Sequence, residues 1–546
     1  MRPAGRLVGV RVRAGRHGDR TCAFYAIDRE PGVRAVNLTE FIKTYDIRGM
    51  VGSQVTPEVF RALGAAFAGV VMKPAGHVQM VLGYDMRPSS PDLAAAFAQG
   101  INGAGVDVVV IGLCASDQLY FASGALACPG AMVTASHNPA QYNGLKLCRG
   151  HAEPVGMDDG LRQIREVAQA ALDAVAAIAA PVQAVTPATA TTSPAPTGGQ
   201  RSQDITQDYV DYLYSLVDVS GMRPLRVVVD AGNGMAGLSA PAVLQDGPAP
   251  LEMFGLFLEL DGTFPNHEPN PLDEKNLVDL GRAVLEHSAD LGLAFDGDAD
   301  RCFVVDEAGR PISSSAISTL VALEEIAAEV ARGIPAGEIT VVHNSVTSLA
   351  LPAAIEATGA CPVMTKVGHV YVKQAMAAHQ AIFGAEHSGH YYFRDFWYAD
   401  TGMLMALRVL AALGSAAESP PLSALIGPFQ AYSHSGEINF TVSDAAGATE
   451  QVLAWGVGED PDIQVDHVDG LRMISRSAGD HFWAVSLRSS NTEPLLRLNV
   501  EADDEPGMVR VRDELHHVLS SAAGASPAKT GRSDASSGQG MGTVLR

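Results

Sequence analysis

The sequence predicts an α/β protein, with three similar α/β domains followed by a smaller α+β domain. Continuous apolar runs rich in β-branched residues, each leading into a turn and then a helical stretch, occur at 78–101, 225–237 and 338–359. Runs of this kind mark buried, mostly parallel strands joined by crossover helices. Their wide spacing along 546 residues suits one unit per domain. From about Tyr432 the pattern changes to short strands in succession and then one helix, which is an α+β plan.

In the first unit, 78–85 reads as a strand closed by Arg87-Pro88, 91–101 as a helix and 106–113 as the next strand. A further strand is expected at 131–134. The Ala-dominated stretch 170–180 is interrupted by Asp173 and reads as a helix that packs in water. Strands of the last domain are expected in 436–442, 471–476, 482–488 and 495–502, followed by a helix over 507–520. Two segments lack the apolar content to offset the entropy of ordering: the Pro/Thr-rich 181–203 and the Ser/Gly/Ala-rich 525–546. The Arg-rich start has no apolar signal core; it could be a transit-like segment, and the blander reading is a poorly ordered extension or a start codon placed too early. The expected division is therefore an extension 1–36, domains over 37–180, 204–315, 316–431 and 432–524, the insertion 181–203 and the tail 525–546.

Lys and Arg number 38 against 61 Asp and Glu, a net charge of −23. That field argues against nucleic-acid and anionic-membrane partners. An anionic ligand would need cationic side chains gathered where it binds. The six cysteines are scattered without metal spacing, which fits a reducing, cytoplasmic setting, and no apolar run reaches the roughly 20 residues of a membrane span.

Four short motifs carry the candidate chemistry. In LGLAFDGDADRCFVV, Asp296, Asp298 and Asp300 alternate across a Gly-containing turn between two apolar runs. Carboxylates this close repel unless a cation neutralises them, and an all-oxygen set suits a hard ion such as Mg²⁺. An EF-hand reading, with Glu307 at the twelfth position, fails because Arg301 stands where glycine is needed and strands flank the loop. In GAMVTASHNPAQYNGLKL, Ser136 and His137 sit in a sharp turn with Lys146 ten residues on; a hydrolase elbow is missing, and an ordinary loop serine is the bland alternative. In FGAEHSGHYYF, Glu386, Ser388 and His390 alternate and would share one side if the segment were extended. Such a set could exchange hydrogen bonds with vicinal hydroxyls, or be a polar strand edge. In LRSSNTEP, Arg488, Ser489, Ser490, Asn491 and Thr492 crowd one turn with the inventory that suits a phosphate, or a polar β-turn. Tyr45 to Gly49 adds Arg48 in another turn.

TASHNP, FDGDADR, EHSGH and RSSNTEP, in this order and at these separations, resemble the signature loops of the α-D-phosphohexomutase family. Within it the sequence is most similar to the bacterial phosphomannomutase/phosphoglucomutase group, over about 37–520. The resemblance implies three α/β domains with mixed sheets and a smaller fourth around a central cleft. It implies a reversible transfer of phosphate between C1 and C6 of mannose phosphates, and of glucose phosphates too, through a hexose 1,6-bisphosphate that also serves as activator.

Carried over residue by residue, Ser136 would be the phosphoserine and, with Asp296, Asp298 and Asp300, would hold Mg²⁺. Arg48, Lys146 and Arg301 would surround the transferring group, Lys146 as general base or acid and His137 orienting the loop. Glu386 and Ser388 would read sugar hydroxyls, with His390, His369 and Tyr45 beside them. Arg488, Ser490, Asn491 and Thr492 would grip the non-reacting phosphate. The sugar loop reads Gly384-Ala385-Glu386-His387, where relatives often carry a second glycine and phosphoglucosamine mutases a glutamine in place of His387. Phosphoglucosamine mutase and a non-catalytic sugar-phosphate-binding paralogue are the alternatives. The expected partner is a hexose phosphate, and the protein a monomer or homodimer.

Overall fold

The structure is a computed structural model that describes residues 36–43, 46–179, 197–476, 482–490, 495–521 and 526–527. Tyr45, Asn491 and Thr492, the extension 1–35 and nearly all of the tail lie outside the described residues.

Three sheets share one plan. In each, the first strand of a unit is central, the second lies parallel on one side and the third parallel on the other, and a fourth returns antiparallel from the third. In the first sheet these are Gln79–Tyr84, Asp107–Leu113, Gly130–Val133 and Tyr142–Cys148. In the second they are Leu225–Asp230, Leu251–Leu256, Leu291–Phe295 and Cys302–Val305. In the third they are Thr340–Asn344, Cys361–Thr365, Phe383–Ala385 and Tyr391–Phe393. The parallel strands are buried and apolar because helices cover both faces, as in Val81–Leu82, Val227–Val229 and Val341–Val342. The antiparallel return makes each sheet mixed, and it places one hairpin loop per domain at the end of the third strand.

The first sheet gains two edge strands, Ile47–Met50 antiparallel on Tyr142–Cys148 and Gln200–Ser202 parallel on Asp107–Leu113. The second of these falls inside the stretch expected to be unstructured through 203. Its three side chains are exposed, so it joins through backbone hydrogen bonds alone, which composition cannot reveal.

The last domain is an antiparallel sheet built around Trp483–Ser489 and Leu495–Ala502, with Leu471–Ser475 and Ile438–Thr441 outside them. One face carries Val485, Leu487, Leu496, Leu498 and Val500 into an apolar core against two helices. The helix Glu505–Ser521 matches the one expected. The other, Ala445–Glu459, was not expected, because Gly447, Gly456 and Gly458 weaken its helical signal. It forms because Asp444 caps Gly447 N and Ala448, Val452 and Gly456 make a narrow buried stripe. Among the described residues no helix is long and apolar enough to cross a membrane.

Candidate functional site

The three equivalent hairpin loops converge. The loop after Gly130–Val133 carries Ser136, the loop after Leu291–Phe295 carries the aspartates, and the loop after Phe383–Ala385 carries Glu386, Ser388 and His390. Ser136 Oγ donates to Asp296 Oδ2 at 2.7 Å, and Arg301 and His390 pair as an isolated bridge. Residues drawn from 136, 296–301 and 386–390 thus meet because the same topological position is used three times.

Ser136 is 2 % exposed and has a left-handed backbone, φ 50°. Such a conformation is unfavourable for serine and needs support. Arg87 supplies it. Its guanidinium, 1 % exposed, donates to the carbonyls of Ser136 (2.8 Å), Asn138 (2.6 Å), Pro139 (2.9 Å) and Tyr142 (3.0 Å), while Asp85 balances its charge at 3.2 Å. In the sequence Arg87-Pro88 reads only as a strand terminator. Arg48 reaches the same loop, donating to Asn138 Oδ1 at 2.8 Å while paired with Asp46. His137 Nδ1 lies 3.1 Å from Ser136 Oγ; burial, then Arg301 and Arg48, push this imidazole well below its usual range, so it is neutral.

Gly297 fits where no other residue could, since a Cβ there would stand 2.5 Å from the carbonyl oxygen of Ser136. Gly297→Ala is expected to displace the serine by a substantial fraction of an ångström and lower turnover by about 100-fold. Steady-state kinetics on a variant with unchanged circular dichroism would check this.

Asp296, Asp298 and Asp300 are each at most 1 % exposed. Lys146 lies against two of them, with Nζ 2.6 Å from Asp298 Oδ2 and in contact with Asp300 Oδ2. Ser116 Oγ adds a hydrogen bond to Asp298 at 2.6 Å, and Arg301 Nε pairs with Asp296 at 3.0 Å. Burial opposes charge on Lys146, but Asp298 and Asp300 outweigh it and hold the ammonium. Asp300 is likewise lowered despite burial, by Lys146 and then His390. Asp296 is raised, by burial first and then by its two aspartate neighbours, against the pull of Arg301.

The cluster fits a hard cation. The three carboxylates offer oxygens all within 4.8 Å of one another, and Asp298 Oδ1 and Asp300 Oδ1 are buried with no hydrogen-bond partner among the described residues. An all-carboxylate donor set of this kind suits Mg²⁺.

The sugar-loop candidates do not lie along an extended segment. Residues 386–390 form a tight turn in which Gly389 has φ 82° and Glu386 N donates to His390 O. Glu386 therefore points inward, 2 % exposed, with Oε1 accepting from Tyr392 Oη at 2.5 Å and Oε2 from Asn344 Nδ2 at 3.1 Å and Gly368 N at 2.9 Å. Ser388 Oγ and His390 Nδ1 are 3.0 Å apart, and His390 Nε2 is 3.6 Å from Asp300 Oδ1, so this loop reaches the acidic cluster. His369 lies 3.6 Å from Asp46, next to Arg48.

Arg488 stands apart from this group. It faces Arg497 across the strand pair, and Glu437 bridges the two guanidiniums at 2.8 and 3.0 Å. Arg497 also donates to Ser490 Oγ at 3.2 Å. Glu437 and Arg497 were not foreseen, since neither lies in a recognisable motif. A cavity of about 770 Å³ lies between His387 of the 386–390 turn and Glu437.

Below the site, Asp117 Oδ2 accepts from Tyr209 Oη and Thr401 Oγ1, both at 2.8 Å, tying three parts of the chain together. Burial pushes its carboxyl up to about 7, against the lowering pull of these two hydrogen bonds. A carboxyl raised on folding stabilises the protein fully below its ordinary value and loses that contribution as pH rises through about 7. Asp117→Asn is therefore expected to melt with the wild type near pH ~4 and above it near pH ~8. A variant melting lower than the wild type at the higher pH would contradict this.

Comparison with known proteins agrees with this geometry. Four profiles described as phosphoglucomutase/phosphomannomutase domains match in order: alpha/beta/alpha domain I over 39–174, domain II over 207–309, domain III over 318–432 and the C-terminal domain over 437–518. A phosphomannomutase of Salmonella montevideo is 39% identical over 491 residues, spanning 89% of this chain and all of its own length. A protein named for phosphohexose mutases from Xanthomonas campestris pv. campestris is 38% identical over 86% of this chain and 97% of its own. The crystal structure of a phosphoglucomutase/phosphomannomutase family protein from Burkholderia thailandensis superposes with a TM-score of 0.74 at 30% identity, covering 88% of this chain and 97% of that one. Matching profiles, full-length relatives and a shared four-domain fold agree: the chain belongs to the phosphoglucomutase/phosphomannomutase family and is a phosphohexomutase, an isomerase.

Proposed function

We propose that this phosphohexomutase interconverts mannose 1-phosphate and mannose 6-phosphate, and glucose 1- and 6-phosphates as well, through a phosphoserine at Ser136 and a hexose 1,6-bisphosphate. The observation that carries the reading is Ser136 Oγ, 2.7 Å from Asp296 and at the meeting point of three hairpin loops. The full-length relatives named phosphomannomutase support the sugar.

In the first half-reaction a sugar hydroxyl oxygen attacks the phosphorus on Ser136. The new sugar–phosphate bond forms as the bond to Ser136 Oγ breaks. The hydroxyl proton passes to a base in the cleft, for which the neutral imidazoles of His390 and His137 are candidates, and is handed on to Ser136 Oγ, which lies 3.1 Å from His137 Nδ1. The bisphosphate then presents its other phosphate, and the same exchange in reverse restores phosphoserine. Arg48, Arg301 and Lys146 supply positive charge around the transferring group, where positioning and electrostatics provide most of the catalysis. Mg²⁺ held by Asp296, Asp298, Asp300 and a phosphoserine oxygen would neutralise charge on that group.

Glu386 and Ser388 would read hydroxyls that mannose and glucose share, which is why one site serves both. Arg488 and Ser490, with Asn491 and Thr492, would hold the phosphate that is not reacting, so that remote binding energy assists the transfer. The reaction needs no membrane and no second protein, and we place it in the cytoplasm. The test is a coupled assay of the purified protein with Mg²⁺ and a hexose bisphosphate on mannose, glucose and glucosamine 1-phosphates. Turnover of the first two is expected; turnover of glucosamine 1-phosphate alone, or of none, would overturn the proposal.

A further inference from the structure

Two carboxylates from different domains are held by the same pair of chain segments. Glu386 Oε2 accepts from the side chain of Asn344 at 3.1 Å and from the backbone of Gly368 at 2.9 Å. Asp469 Oδ2, from the C-terminal domain, accepts from Ser345 Oγ at 3.0 Å and the backbone of Val367 at 3.1 Å. The residues that hold Asp469 are thus the immediate neighbours of those that hold Glu386, on both segments. Asn344 is itself rigid, since its Oδ1 takes three donors from Val346 N, Thr347 N and Thr347 Oγ1.

Asp469 is tied to the arginine strands. It sits in the turn just before Leu471–Ser475, and the next residue, Gly470, has φ 87° and packs on Leu487 O and Arg488 Cα. That contact leaves no room for a Cβ at Gly470, so the turn is fixed against the strand that bears Arg488. The C-terminal domain therefore joins two things in one piece: the strand that bears Arg488 and a carboxylate seated on residues 345 and 367. A charge-assisted acceptor shared by two donors fixes the spacing of the segments that carry them.

We propose that Asp469 is a positioning residue that couples docking of the C-terminal domain to the placement of Glu386. This rests on the reading of Glu386 as a sugar-binding carboxylate. With Asp469 in place, residues 344 and 368 are spaced to grip Glu386 Oε2. Without it, the carboxylate has the same neighbours held less firmly, and the sugar is presented less well to the transferring phosphate.

The experiment measures kcat and KM for mannose 1-phosphate, and inhibition by inorganic phosphate, in Asp469→Asn, Glu386→Gln and the double variant. Asp469→Asn is expected to lower kcat/KM about tenfold while phosphate inhibition stays within about twofold, and the double variant to be no worse than Glu386→Gln alone. Multiplying effects of the two substitutions would overturn the proposal, as would a change confined to phosphate inhibition. Where Asp469→Asn fails to fold, Ser345→Ala replaces it: a loss of about threefold that vanishes in the Glu386→Gln background supports the coupling, and an additive loss overturns it. Full activity of Glu386→Gln would overturn the sugar-binding reading and this inference with it, an outcome distinct from failure at Asp469 alone.

Discussion

Ser136→Ala is expected to abolish mutase turnover, by roughly 10⁴-fold or more, because it removes the only oxygen proposed to carry the phosphoryl group. The loss should appear in kcat and not as weakened binding, since Arg488, Ser490 and Glu386 remain. The fold should survive. Arg87 holds the loop through four carbonyls rather than through the serine hydroxyl, and alanine removes only the hydroxyl's contacts with Asp296 and His137. Residual turnover within about tenfold of wild type would refute a phosphoserine mechanism.

The second large effect is expected at Lys146. Its ammonium is the cation in contact with both Asp298 and Asp300, which are otherwise shut away from water. Lys146→Met leaves two buried carboxylates facing each other, a loss of about 3–5 kcal/mol by analogy with other broken buried pairs. A divalent cation bound by the same carboxylates would restore part of that. Thermal melts of the variant in chelator should therefore fall well below wild type and recover on adding Mg²⁺, with a larger gain than wild type shows. Turnover should stay depressed by about 10²–10⁴-fold, because the positive charge that Lys146 supplies around the transferring group is not replaced. Equal Mg²⁺ responses in the two proteins would show that Lys146 and the cation do not share these ligands.

What could be seen in the sequence was local. Asp296, Asp298 and Asp300 are neighbours in the chain, so their mutual repulsion is visible without a structure. Ser136 and His137 are adjacent as well, and the apolar runs that became Leu225–Asp230 and Thr340–Asn344 announced their burial by composition. What could not be seen acts across distance. Glu437 meets Arg488 from 51 positions away, and Asp469 meets Val367 from 102. Arg87 supports Ser136 from 49 positions away and looks like any arginine before a proline. The alternation of Glu386, Ser388 and His390 was a true pattern with the wrong geometry, because Gly389 permits a turn where alternation suggested a strand. Nor did the sequence show that the three motif loops occupy one topological position, which follows only once each third strand is seen to return antiparallel.

The net charge of −23 also takes on a different meaning. Arg48, Arg87, Lys146 and Arg301 gather around one serine loop, and Arg488 with Arg497 around Glu437. The surface repels anions in general, while the cleft concentrates the cations that a sugar phosphate needs.

The most direct test of the central claim is intact-mass and peptide mass spectrometry of the protein before and after a hexose monophosphate is added. One phosphoryl group per chain is expected, located on Ser136, that leaves on addition of mannose 1-phosphate as an equal amount of hexose 1,6-bisphosphate appears. Turnover by a protein that never carries phosphate on Ser136 would contradict it.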